Sequence, residues 1–136
     1  MGDYLDKFSD FVEQTHYEDL SPEAITSVKN VTLDTIGVML VGSKLPENAA
    51  FAKMAAARSG PANATIVGHP FKAEPMLAAS VNGTSGVSLE IDEGNHMGGG
   101  HPSTHCLPGA LAIAEEIGAS GQQFMESVIV GYEIQS

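Results

Sequence analysis

Positive charge is the scarcest thing in this chain. Six Lys and Arg residues stand against seventeen Asp and Glu, a formal net charge of −11 over 136 residues. A phosphate backbone or an anionic bilayer surface needs a basic face, so this shortage argues against nucleic acid and membrane partners. Cysteine is nearly absent. Cys106 is the only one, which excludes an internal disulfide framework. No Lys or Arg neighbours it and the apolar Leu107 follows it, so it reads as a small core residue. The start, MGDYLDKFSDF, has neither a basic opening nor an apolar segment, so no secretory signal is read there. Without one, the three Asn-x-Ser/Thr matches at Asn30, Asn63 and Asn82 are read as chance. The longest apolar run, near Gly37 to Gly42, falls well short of a bilayer. A cytoplasmic protein is the expectation.

What is present is a globular composition, 43% apolar and 17% charged, at a length that supports one domain with a core. Apolar spacing of three and four over Tyr4, Leu5, Phe8, Phe11 and Val12 predicts a short first helix. Ser21 as cap and Pro22 at the first position predict a second, running to about Val41. Pro46 to about Arg58 predicts a third. One minor strand is expected at Thr65 to Val67. From Ala73 to about Leu89 the residues are mostly small, which predicts a helix buried between neighbours. Leu107, Ala110, Leu111, Ala114 and Ile117 keep helical spacing up to Gly118, and Ser120 with Gln123 fits a capping box for a last helix. The fold class is therefore all-α: about six helices and at most one minor strand. The last helix is uncapped at Ser136, which reads as a piece of something longer.

The chemistry is concentrated in one segment, EIDEGNHMGGGHPSTHCLP, from Glu90 to Pro108. His101 falls at the cap of a helix over 102–117, with Pro102, Ser103 and Thr104 in its first turn. Free N–H groups at such a helix start favour a bound carboxylate. The positive end also favours a neutral imidazole at His101, able to accept a proton. That combination suits removal of a proton next to a carboxylate. Gly98, Gly99 and Gly100 allow the backbone to turn tightly beside a ligand. Glu90, Asp92 and Glu93 lie just upstream, supplying a candidate general acid or a group that orients His101. Pro108 is expected to bend the helix or delay its start. The rival chemistry is a metal site built from His101 and His105, four apart, with His96 and a carboxylate. The embedded glutamate of zinc proteases is missing, and no metal ligand is assigned.

LEIDEGN, GGGHPSTHCLPGALAIAEE and GASGQQFMESVIVGYEI, with LDTIGVMLVGS and SVNGTSG upstream, together resemble the MmgE/PrpD family. The resemblance runs in order along essentially the whole chain. It implies the N-terminal portion of a larger all-helical domain, a second α+β domain beyond this chain, a homodimer, and no cofactor. It further implies acid–base chemistry on small di- and tricarboxylates, as in 2-methylcitrate dehydratase, cis-aconitate decarboxylase and iminodisuccinate epimerase. The family's active-site histidine falls on His101. Its upstream acid falls on Glu90 or Asp92, and the residues leave that choice open. Asn95 and His96 are candidates for the mouth of the site, with Ser103 and Thr104 beside the bound carboxylate. Family chains are several-fold longer, and their basic and tyrosine site residues come from parts not in this chain.

The expected function is thus a fragment of a cofactor-independent lyase or isomerase for a small polycarboxylate, inactive when isolated. The alternative is a non-catalytic helical module that packs with a partner or with itself.

Overall fold

In the computed structural model, which describes residues 3–136, six α-helices form where caps and spacing place them. They are α1 (Tyr4–Gln14), α2 (Pro22–Gly42), α3 (Pro46–Arg58), α4 (Pro75–Val87), α5 (Pro102–Ile117) and α6 (Gly121–Gln135). A single 3-10 turn, Tyr17–Asp19, joins α1 to α2. The caps are those the residues dictate. Ser21 Oγ accepts from the Ala24 N–H, Ser120 and Gln123 close a reciprocal box, and Gly118 ends α5 in the left-handed region at φ 66°.

The expected minor strand acquires a partner. Ala64–Thr65 (β1) pairs antiparallel with Lys72–Ala73 (β2), Ala64 opposite Ala73 and Thr65 opposite Lys72. A strand cannot satisfy its ladder alone, so the segment before α4 extends to meet it. This delays α4 to Pro75, where the Glu74 carboxylate caps the Met76 and Leu77 N–H groups. Glu115 on α5 holds β1 from the other side, accepting from the Thr65 N–H and hydroxyl.

The α4–α5 pair lies at the centre. α4 packs on α5, α2 and α3, and α5 also packs on α6. Ala78, Ser85 and Gly86 of α4 are buried between neighbours, as their size predicts, while Ser80 and Thr84 stay exposed. At Gly42 the end of α2 lies against the α4 backbone, and a Cβ there would sit 1.9 Å from the Ser85 carbonyl oxygen. Two apolar clusters flank the pair. One joins Ala52, Ala55, Ile66, Ala78, Val81 and Ala112, and the other joins Val28, Met39, Val67, Leu107 and Val128. Asn82 ties β1 to α4, accepting from the Val67 N–H at 2.9 Å and donating to the Thr65 carbonyl at 2.9 Å. Its burial leaves no room for a glycan.

α2 is longer and more apolar overall than its short central run implies. By length and composition alone it qualifies as a bilayer-crossing helix. Its buried residues, Val28, Thr35, Val38, Met39 and Gly42, face other helices, while Leu33, Leu40 and Val41 are exposed.

Candidate active site

The segment between α4 and α5 is positioned by both helices. α4 ends at Val87, and the chain turns through Glu90, the one non-glycine residue at positive φ (54°) among the described residues. The next residues fold back over the start of α5. Asn95 organises the glycine turn. Its N–H donates to the Gly100 carbonyl at 3.0 Å, its carbonyl accepts from Gly99 at 2.9 Å, and its Oδ1 accepts from the Met97 N–H at 2.8 Å. Gly99 and Gly100 adopt φ 84° and 73°, which side-chain-bearing residues rarely reach.

This fold-back brings His101 and Asp92 together. The imidazole Nδ1 lies 3.2 Å from Asp92 Oδ2 and 2.8 Å from the Glu93 carbonyl oxygen. Both neighbours are acceptors, so a neutral ring in this place carries its proton on Nδ1, with the Nε2 lone pair facing outward. The Asp92 side chain is 4% exposed and the His101 side chain 47%. Thr104 donates its hydroxyl to the same Asp92 oxygen at 3.0 Å. The acid is thus buried and held, and the ring reaches outward from it.

Glu90 is not part of this set. The left-handed turn leaves it exposed, and among the described residues its carboxylate makes no hydrogen bond or ion pair with His101. Of the two acids the residues left open, Asp92 is the one against the ring. Asn95 spends its carbonyl and side-chain oxygen on the loop, while His96 is exposed beside it. Ser103 and Thr104 are both buried, so neither hydroxyl is presented to a ligand arriving from solvent. Thr104 supports Asp92, and Ser103 Oγ has no partner among the described residues.

The helix start also departs from expectation. His101 is the cap residue of α5 but makes no side-chain capping bond. Glu93 does that work: its Oε2 accepts from the Ser103 N–H at 3.3 Å. A carboxylate does sit at the positive end of α5, and it belongs to the chain. Glu93 Oε1 accepts the hydroxyl of Tyr132, on α6. Burial, then the Glu93 carboxylate, push the Tyr132 hydroxyl up to about 12. Sequence reading passed over this pair. Along the sequence Glu93 is one of three neighbouring acids and Tyr132 lies 39 positions away in the last helix. The one sequence feature that carries it is the GYE at 131–133 of the last helix.

α5 continues through Pro108 without interruption from Pro102 to Ile117. The proline lacks the N–H that would serve the Thr104 carbonyl, and that oxygen lies against Gly83 of α4. Cys106 is half-buried, and burial pushes its thiol up. Gly131 of α6 approaches its Cβ closely, consistent with a packing role. Among the described residues no three His, Cys, Asp or Glu side chains are arranged to hold a metal ion. His105 is exposed on α5 and joins no such set.

Comparison with known proteins adds two findings. The model of the MmgE/PrpD N-terminal domain matches residues 6–136. The chain is also 24% identical over 139 residues to the cis-aconitate decarboxylase-like protein oryM of Aspergillus oryzae, an alignment covering 97% of this chain and 29% of that protein.

Proposed function

Because the chain belongs to the MmgE/PrpD family, we propose that it is the N-terminal helical part of a lyase or isomerase. The reaction is acid–base chemistry next to a carboxylate of a small di- or tricarboxylic acid. The name of the Aspergillus oryzae relative makes cis-aconitate a first substrate to try. In this reading His101 Nε2 takes a proton from the carbon beside the carboxylate, or returns one to it. Asp92 orients the ring and balances the charge of the imidazolium that forms. The observation that carries the reading is the His101 Nδ1–Asp92 contact at 3.2 Å, with a buried acid behind a half-exposed ring.

The substrate's own charge sets a requirement. Among the described residues no Lys or Arg pairs with Asp92, Glu93 or His101, and the chain as a whole repels anions. The chain spans about 29% of the length of the relative it matches. In this proposal the missing positive charge comes from the rest of the natural protein or from a second copy. A cytoplasmic homodimer working without a cofactor belongs to the same proposal. The exposed apolar side chains of α1, Tyr4, Leu5 and Phe8 among them, are a surface that such association would cover.

The test uses the full natural protein and a panel of small polycarboxylates. His101→Asn and Asp92→Asn are each expected to lower kcat/KM by roughly 10²–10⁴-fold, the usual contribution of a positioned acid–base group. Glu90→Gln is expected to stay near the native rate. A His101→Asn enzyme with native turnover would remove the reading.

A further inference from the structure

Nδ1–H is the less favoured tautomer of a free neutral histidine side chain, so the protein must hold His101 in it. One of its two acceptors is a backbone carbonyl, that of Glu93, in an exposed loop. A loop carbonyl keeps its place only if something anchors the residue that bears it. The Glu93 side chain supplies such an anchor, next to the Thr104–Asp92 hydrogen bond one residue away. One carboxylate oxygen accepts from the Ser103 N–H of α5 and the other from the Tyr132 hydroxyl of α6. Tyr132 is in turn on a rigid element. α6 docks along α5 and α2, and its Glu126 accepts from the Tyr17 N–H at 2.8 Å.

We propose that Tyr132 is a positioning residue, which through Glu93 sets the tautomer and aim of the His101 ring. For its functional meaning this rests on His101 being the proton-transfer group. The physical claim about the ring stands apart from that. The chain of contacts runs from the Tyr132 hydroxyl to Glu93 Oε1, along the Glu93 residue to its carbonyl, and from there to His101 Nδ1–H. The high position of the Tyr132 hydroxyl keeps it a donor throughout the physiological range. Phenylalanine would keep the packing and lose the tie. Glutamine at 93 would keep the shape, yet an amide offers an acceptor oxygen to only one of the two donors that a carboxylate satisfies.

Long-range ¹H–¹⁵N spectra of the imidazoles in this chain read the tautomer directly, with the His101 signal identified by its loss in His101→Asn. In the native chain, at a pH where the ring is neutral, the expected form is Nδ1–H. In Tyr132→Phe, and independently in Glu93→Gln, the Nδ1 nitrogen is expected to move downfield as the proton population passes to Nε2. Val128→Ala, which trims a buried side chain of the same helix and leaves its docking and the tie in place, is expected to leave the tautomer unchanged. Retention of Nδ1–H in both Tyr132→Phe and Glu93→Gln would overturn the proposal, as would an equal shift in Val128→Ala. So would a native ring in the Nε2–H form, which would also undercut the Asp92–His101 geometry. Normal tautomer shifts together with a catalytically competent His101→Asn full-length enzyme would sink the proposed function alone.

Discussion

At the scale of single residues, the choice between Glu90 and Asp92 shows what spacing along a loop leaves open. Both are acids within a turn of each other, and either reaches His101 on paper. The decision comes from backbone conformation: a residue at φ 54° directs the chain so that Asp92 lies over α5 and Glu90 in solvent. Tyr132 yields a prediction at this scale. An unfolded tyrosine loses its proton near pH 10, and the folded one at about 12. Between those values the unfolded chain binds fewer protons, so stability falls as pH rises. The native contribution is complete below about pH 10 and is lost on passing toward 12. Urea midpoints measured across that window are expected to fall for the native chain, and to fall less steeply for Tyr132→Phe.

Among the helices, glycine carries two opposite meanings within α2. At Gly42 a Cβ would lie 1.9 Å from the Ser85 carbonyl oxygen, so alanine there must push α2 and α4 apart. Gly42→Ala is expected to cost about 1–3 kcal/mol, as for other overpacked contacts. At Gly37 nothing lies within 4 Å of the built Cβ. Gly37→Ala is expected to stabilise by about 0.5–1 kcal/mol, because it removes backbone freedom from the unfolded chain and clashes with nothing. Chemical denaturation with m unchanged separates the two signs. A destabilised Gly37→Ala would mean that α2 has a neighbour not described here. The Gly42 contact falls in the last turn of α4, just before the loop that carries His101.

For the molecule as a whole, charge decides the outlook. A net −11 chain with no Lys or Arg paired to its candidate site among the described residues is poorly made to hold a polycarboxylate alone. The 136-residue chain is expected to convert cis-aconitate or 2-methylcitrate no faster than buffer, by direct product assay at high protein concentration. Measurable steady turnover would show that the counter-charge is already present within it. The fold was legible at this scale because its signals are local. Ser21, Ser120 with Gln123 and Gly118 each mark a helix end through bonds to residues three or four away. The site was legible in part. His101 at the cap of α5 and an acid upstream were readable, while Glu93 as the cap's anion and Tyr132 as its partner were not.

Local chemistry along the chain decided that this is a helical protein, where its helices start and stop, and that its candidate site residues gather between Glu90 and Pro108. Those outcomes depend on hydrogen bonds and apolar spacing spanning a few residues. Packing in three dimensions decided which acid meets the imidazole and that a carboxylate of the chain itself fills the positive end of α5. These turn on contacts across many residues, such as Glu93 with Tyr132, 39 positions apart. No periodicity encodes a pairing at that separation.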